Sequence, residues 1–140
     1  MAPLTDDDRE LIARAARLVE THGDDKLHTV GAAARAADGS VVAGLNLFHF
    51  TGGPCAEIVV LGMAASAGLR ELTTMVAVAD RGRGVIPPCG RCRQIMLDLH
   101  PGIDVIIPGR AGARRTPISE LMPTAWPWTP EGGSEPPQAP

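Results

Sequence analysis

Apolar residues near the start of the chain recur at the spacing of an amphipathic helix. The residues that carry this pattern are Leu11, Ile12, Ala15, Leu18 and Val19. Thr5 and Asp8, just before them, resemble a capping box with Asp in place of Glu, and Gly23 after them is a typical helix stop. The pattern therefore predicts a first helix over about residues 6–21.

The following segment changes from helical to strand-like patterning. Residues 28–37 and 40–48 consist largely of small and β-branched side chains. They are joined at Asp38-Gly39, a dipeptide that is typical of tight hairpin turns. The sequence therefore predicts two antiparallel strands, which end before the TGGP segment at 51–54.

In the second half of the chain, helical and strand-like segments alternate. From Cys55 to about Gly68 the chain is apolar nearly all round, which predicts a buried helix. The further predicted elements are a buried strand over 72–79, a loop over 80–88, a helix over 89–100 with Ile95, Met96 and Leu99 facing inward, a short strand over 104–107, and one or two helical turns over 118–122. This order predicts an α/β fold, with one mixed sheet of about five strands covered by helices.

The C-terminal end has a different composition from the rest. Six of the eighteen residues from Pro123 onward are proline, and we find no internal repeat. A chain of 140 residues is the size of one domain. We therefore expect a single domain over 1–128 and an extended, disordered tail over 129–140.

Composition and charge narrow the function classes. Hydrophobic residues make up 44% of the chain and charged residues 21%, as in an ordinary globular protein. The net charge of −3 gives no reason to expect a nucleic-acid polymer as partner, whereas single nucleosides or bases stay open. No apolar run is long enough for a membrane span, and the acidic N-terminal segment does not resemble a secretory signal. We therefore expect a cytoplasmic protein with reduced cysteines.

The three cysteines lie where two predicted helices begin. Cys55 opens one helix, and Cys89 and Cys92 share the first turn of another, so that the latter two can bind one ion. Helix N-termini favour thiolates, because the first backbone amides point toward them. Three sulfur ligands leave a fourth position open for water. This set predicts one catalytic Zn²⁺ per chain rather than a closed structural site.

Two further residues extend the metal site into a catalytic hypothesis. Glu57, two positions after the first cysteine, is poorly placed to bind the same ion but well placed to reach a water on it, so we predict that it transfers protons. Three thiolates around Zn²⁺ carry a net negative charge, and we expect Arg93 to donate a hydrogen bond to sulfur and draw charge off the cluster. Arg91 faces another side of the helix, where a solvated side chain is expected.

Alternative interpretations of these residues stay open. A C-x-x-C pair can also be a thiol–disulfide redox motif, although such a motif does not need a third cysteine or a C-A-E element. We do not expect His28 or His49 to be a fourth ligand, because that position must stay open. Trp126 and Trp128 either attach the tail to the domain or stack on a base or sugar.

Two segments resemble the cytidine deaminase superfamily. They are HFTGGPCAEIVVLG at 49–62 and PPCGRCRQIMLDLHPGI at 87–103, and within the superfamily they are most similar to blasticidin-S deaminases. The resemblance implies a three-layer α/β/α sandwich and a homotetramer with active sites near subunit interfaces. It implies zinc held by Cys55, Cys89 and Cys92, attack of water at C4 of cytosine, proton transfer by Glu57 to N3, and release of ammonia.

The same resemblance suggests substrate contacts. Thr29, Arg83 and Trp126 fall where blasticidin-S deaminases have a Ser, an Arg and a Tyr that contact substrate. Asn46 matches an Asn that holds the ribose in cytidine deaminases, but Phe48 replaces the Glu that acts with it. Gln94 follows Arg93 in the second motif and is expected beside the metal site.

These departures bear on the substrate. Losing a buried acceptor for a sugar hydroxyl argues against cytidine as the preferred substrate. The sequence therefore predicts a zinc-dependent deaminase for a cytosine-containing nucleoside or a nucleoside antibiotic such as blasticidin S, in the latter case with a role in antibiotic resistance. The alternatives are a cytidine, deoxycytidine or nucleobase deaminase, and an inactive zinc-stabilised interaction module.

Overall fold

The computed structural model describes residues 2–125 and 128–131. Its helices are α1 (Asp6–His22), α2 (Ala56–Ser66), α3 (Gly90–Leu99) and α4 (Ile118–Leu121). Its strands are β1 (Val30–Ala36), β2 (Val41–Leu45), β3 (Leu72–Ala79), β4 (Gly84–Ile86), β5 (Asp104–Ile107) and β6 (Arg114–Pro117). The predicted alternation of helices and strands is therefore present, with two additional short strands.

The strands form one mixed sheet in the order β2-β1-β3-β5-β6, with β4 also paired to β3. Only the β3–β5 pair is parallel among the pairs of the described strands. Helix α1 covers one face of the sheet, where Leu11 packs near Ala33 and Val76. Helices α2, α3 and α4 cover the other face, where Val60 and Met96 belong to the larger core cluster. The α/β fold predicted from the sequence is confirmed as three layers.

Strand β1 shows why helices can approach the sheet so closely. Its sequence is VGAAARA, and Ala32 and Ala34 point to one face of the sheet while Ala33 points to the other. All three are completely buried. Alternating side chains of this size leave room for a helix on each face.

Strands β4 and β6 were not predicted. β4 lies inside the expected loop at 80–88, where Val85 and Ile86 pair with Val78 and Ala77 of β3. It is too short to show an alternating pattern. β6 has the sequence RRTP and pairs with β5 at the edge of the sheet. Polar residues are tolerated in an edge strand because it has a neighbouring strand on one side only.

The prediction that α2 is a buried helix is wrong for the single chain. Ala56, Val60, Leu61 and Ala64 are buried, but Gly62 and Met63 are exposed on the opposite side. Leu99 of α3, expected to face inward, is 52% exposed. Apolar character all round a helix therefore does not show which face the chain itself covers.

The C-terminal segment is described only in part. Trp126 and residues 132–140, most of the predicted tail, lie outside the described residues. Trp128 is described, and its backbone N–H donates to Asp98 Oδ1 at 2.8 Å, so this end of the chain lies against α3. None of the helices within the described residues has the length and apolar character that crossing a membrane requires.

Candidate metal centre and active site

Helices α2 and α3 begin in the same way and converge on one point. A Pro-Cys pair precedes each helix, and the N-cap residues are Cys55 and Cys89, both with extended backbone conformation. The Cys55 and Cys89 sulfurs are 3.6 Å apart, and the Cys89 and Cys92 sulfurs are 3.4 Å apart. All three sulfurs lie within 4.8 Å of one another. The structure thus joins the three cysteines that the sequence singles out.

The spacing of the sulfurs fits a tetrahedral metal. Zinc–sulfur bonds of about 2.3 Å at tetrahedral angles place two sulfurs roughly 3.8 Å apart. The observed separations of 3.4 and 3.6 Å are close to that value, and a slight expansion of the cluster would admit the ion. Cys92 is buried, Cys55 is partly buried and Cys89 is exposed, so the cluster opens toward solvent on one side. This donor set fits one Zn²⁺ with an accessible fourth position.

The surroundings of the three thiols differ. Burial raises the pKa of Cys55 and, more strongly, that of Cys92. Partial burial also acts to raise the pKa of Cys89, but hydrogen bonds from the Cys92 amide and side chain lower it overall. A bound divalent cation favours the thiolate at each position. Cys89 is therefore the most readily ionised ligand of the free protein.

Glu57 lies in the first turn of α2 and is only 5% exposed. Burial raises the pKa of its carboxyl group, whereas a backbone hydrogen bond and a contact with the Cys92 thiol oppose this rise. The contact places the carboxyl group directly beside the metal ligands. A raised pKa makes the ionised carboxylate a stronger proton acceptor, which suits a role in proton transfer.

The peptide carbonyls before the two N-cap cysteines are held differently. Pro54 O accepts the backbone N–H of Leu47 at 3.0 Å. Pro88 O accepts the Nε–H of Arg93 at 2.9 Å. The hydrogen bond that Arg93 was expected to donate to sulfur is thus replaced, in the structure, by one to a carbonyl oxygen.

The GG pair before the first Pro-Cys shapes the turn. Gly52 has a φ of +99°, and a Cβ added to Gly53 would lie 1.7 Å from the Leu47 carbonyl oxygen. Only glycine permits this close approach of two backbone segments. Because the approach brings Leu47 beside Pro54, it also sets the position of Cys55.

Three of the residues expected to contact substrate lie at the adjoining ends of β1 and β2. Asn46 Oδ1 accepts the backbone N–H groups of Thr29 at 2.7 Å and Val30 at 3.0 Å, and Asn46 Nδ2 donates to Thr29 Oγ1 at 3.3 Å. Asn46 therefore ties two strands together, and its side-chain acceptor is already occupied. Phe48 is 64% exposed.

The other expected site residues are less closely grouped. Arg83, in the turn between β3 and β4, pairs with the buried Asp80 through Nη2. Gln94 Nε2 donates to Asp98 at 3.0 Å. Trp126 lies outside the described residues. The described residues thus bring the metal ligands and Glu57 into contact, whereas Arg83 and Gln94 pair with Asp80 and Asp98.

Two features of the structure were not predicted from the sequence. Asp80 directly follows β3 and also lies 3.8 Å from the Arg81 guanidinium, and an Asp with Arg one and three positions later could have suggested this ion-paired turn. Phe50 is 89% exposed although the chain has only two phenylalanines. The two phenylalanines lie only two positions apart, at 48 and 50, and this spacing could have suggested an exposed apolar loop.

Comparison with known proteins defines the class. The family model described as the cytidine and deoxycytidylate deaminase zinc-binding region matches residues 5–107, which include all three cysteines and Glu57. The chain belongs to this family. It is a deaminase, an aminohydrolase whose Cys55, Cys89 and Cys92 fit one Zn²⁺.

Several individual proteins are similar over most of the chain. A blasticidin-S deaminase of Bacillus cereus is 32% identical over 129 residues, covering 86% of this chain and 92% of that protein. A cytidine deaminase of Halalkalibacterium halodurans is 40% identical over 101 residues, covering 69% and 76%. The solved cytidine deaminase of Burkholderia pseudomallei has a TM-score of 0.69 at 30% identity, covering 88% and 100%. That of Bacillus anthracis, at 20% identity, supports the fold with a TM-score of 0.72, covering 84% and 88%.

Proposed function

We propose that the chain hydrolyses the C4 amino group of a cytosine-containing nucleoside or nucleoside antibiotic, as a blasticidin-S deaminase does. The observation that carries this proposal is the buried carboxyl group of Glu57 beside a three-thiol cluster that is open to solvent. An interaction module stabilised by zinc would not need a buried acid at this place, because burying a carboxylate without a partner or a role costs free energy.

The chemistry divides between the metal and Glu57. When bound, Zn²⁺ lowers the pKa of water enough to supply a nucleophile near neutral pH. Glu57 accepts a proton from the attacking water and delivers it to N3 of the base. The second proton, on the new C4 hydroxyl, passes to the amino group, again by way of Glu57. The C4–N bond then breaks, ammonia leaves, and C4 becomes a carbonyl carbon. One water is consumed for each ammonia released.

The surroundings of Asn46 support a substrate other than cytidine. Since Asn46 Oδ1 already accepts two backbone amides, the side chain can offer a sugar only its remaining N–H. Phe48 offers no polar group at all. We propose Thr29, Asn46, Phe48, Arg83 and Trp126 as substrate-contacting residues, with Arg93 and Gln94 behind the metal ligands. Cytidine or deoxycytidine stays the second candidate, because proteins named cytidine deaminase are among the similar ones.

The test is a deamination screen combined with one substitution. Purified zinc-loaded protein is incubated with blasticidin S, cytidine, deoxycytidine, cytosine and purine bases, and the change in ultraviolet absorbance is followed. We expect turnover of blasticidin S or another cytosine derivative, and Glu57→Gln should lower kcat by about 10²- to 10⁴-fold with zinc retained. No turnover of any cytosine compound, or full activity of the variant, would contradict the proposal.

We also propose that the chain forms a homotetramer that buries the apolar loop at 47–50 and the outer face of α2. Phe48, Phe50 and Met63 are 64%, 89% and 43% exposed in the single chain, and large apolar side chains exposed to this extent are often covered at subunit contacts. Light scattering of the purified protein tests this assembly, and a monomer at micromolar concentration would contradict it. The cytoplasmic location and the domain limits at 1–128 stay predictions.

A further inference from the structure

The two peptide planes on either side of Cys89 are both held by Arg93. The side-chain Nε–H of Arg93 donates to Pro88 O at 2.9 Å, and its backbone N–H donates to Cys89 O at 3.0 Å. These two carbonyls belong to the peptide groups that precede and follow the Cys89 Cα. Together they fix the φ of −69° and the ψ of 167° at Cys89, and so the direction in which its side chain leaves the backbone.

Cys89 needs such support more than the other ligands do. It is the exposed member of the cluster, whereas Cys92 has no solvent exposure and is held by the core around it. The Cys89 sulfur also lies within 3.6 Å of both other sulfurs. A small rotation about its backbone would therefore misplace one ligand relative to the other two.

At the start of α2, the carbonyls on either side of Cys55 are held by backbone N–H groups alone, without a side chain. There the carbonyl before Cys55 accepts the backbone N–H of Leu47 at 3.0 Å, and the carbonyl of Cys55 accepts the N–H of Val59 at 3.2 Å. Among the described residues, the only hydrogen bond to the corresponding carbonyl of Pro88 comes from the Arg93 side chain. Arg93 thus does for Cys89 what the backbone of Leu47 does for Cys55.

We propose that Arg93 is a positioning residue for the zinc ligand Cys89, and that it acts through the directed Nε–H bond to the Pro88 carbonyl rather than through its positive charge. The inference concerns the metal centre and holds whichever substrate the enzyme accepts. Partners that orient metal ligands in this way typically contribute 10- to 100-fold in metal affinity.

Three substitutions separate the hydrogen bond from the charge. Arg93→Gln places an N–H the same number of bonds from Cα as Arg Nε but removes the charge. Arg93→Lys keeps the charge and moves the donor one bond farther out, and Arg93→Met removes both. Zinc release from each loaded protein is followed with a chromogenic chelator in the absence of substrate.

We expect release rates in the order wild type, Gln, Lys, Met, with Gln within about threefold of wild type and Met about 10-fold faster or more. The thiolate-to-cobalt charge-transfer bands of the Co²⁺-substituted protein should change in the same order. Arg91→Gln is the matched control, because Arg91 is an exposed neighbour on the same helix, and it should release zinc at the wild-type rate.

Two outcomes overturn the proposal. Slow release from Arg93→Lys together with fast release from Arg93→Gln would show that the charge is what matters. Equal rates for all variants would show that Arg93 does not support the metal at all. If Arg93→Met fails to fold, the comparison of Gln with Lys still decides, since the proposal requires slower release from Gln. A failed substrate screen leaves these metal measurements unaffected.

Discussion

Helices α1 and α3 both begin with a side chain placed over the first backbone amides, but they use different chemistry. At α1, Thr5 Oγ1 accepts the N–H of Asp8 at 3.1 Å while the Asp8 carboxylate accepts the N–H of Thr5 at 2.9 Å. At α3, the Cys89 sulfur accepts the N–H of Cys92 at 3.5 Å, a longer bond to a weaker acceptor. The hydroxyl cap at α1 makes strong hydrogen bonds by itself, whereas the sulfur at α3 caps the helix only weakly and is placed to bind a metal.

Helix α2 differs further from α1, because its N-cap, Cys55, makes no side-chain hydrogen bond to the helix. The cysteines at the start of α2 and α3 lie at the positive ends of the helix dipoles, which favour thiolates there. The comparison indicates that the α1 end of the molecule is stabilised by its own residues, while the end that carries the cysteines depends on zinc for part of its stability.

Cys92→Ser tests whether the end of the molecule that carries the cysteines depends on zinc, and we expect it to have the largest effect. The substitution leaves one sulfur on each helix, so the protein should lose its zinc. Saturating zinc at about a thousand times its dissociation constant stabilises a folded protein by about 4 kcal/mol, and the variant should lack this stabilisation. Zinc content and thermal unfolding with and without a chelator measure both results.

Wild-type protein is the control for that experiment. It should unfold at a lower temperature when the chelator is added, whereas the unfolding of Cys92→Ser should not change. A wild-type unfolding temperature that is insensitive to the chelator would mean that the α2 and α3 starts are as self-sufficient as the α1 start.

Gly53→Ala should have the next largest effect, because it disturbs the start of α2 alone. The added Cβ would lie 1.7 Å from the Leu47 carbonyl oxygen, so the backbone must move and weaken the hydrogen bond from Leu47 N–H to Pro54 O. We expect a loss of about 2–3 kcal/mol in the free energy of unfolding and faster zinc release. Urea denaturation of the zinc-loaded protein measures the loss.

Gly102→Ala is the control outside α2. No atom lies within 4 Å of the Cβ that it adds, and its φ is not in the left-handed region, so alanine should change the free energy of unfolding by less than about 1 kcal/mol. If the two substitutions had the same effect, the contact between Gly53 and Leu47 would not be what positions Cys55.

The metal cluster could be predicted from the sequence because its determinants are local. Two cysteines three positions apart at a helix start must face the same side, and Glu57 follows Cys55 in another first turn. The partners of Asn46 and Arg93 were not marked by any such spacing. Asn46 bonds to backbone groups 16 and 17 positions away, and the direction of the long Arg93 side chain depends on a carbonyl in the preceding turn.

The layers of the fold could also be predicted from local patterns, but the orientation of α2 and the short strands β4 and β6 could not. The amphipathic pattern of α1 showed which side meets the sheet, and the capping box marked its beginning. Helix α2 has no polar side to reveal its orientation, so the pattern could not show that Gly62 and Met63 are exposed. Strands of three or four residues, such as β4 and β6, contain too few positions for a periodic pattern.

The smallest effect is expected for Thr5→Ala, which tests the independence of the α1 start. The loss of the hydroxyl cap should cost about 1 kcal/mol in the free energy of unfolding. Asp8 stays held by Arg115, whose Nη1 lies 3.4 Å from its carboxylate, so the damage should be confined to the first turn. Thr5→Ser, which keeps the hydroxyl, is the control and should retain most of the stability. Zinc release should be unchanged in both variants, and faster release from Thr5→Ala would show that the two ends of the molecule are coupled.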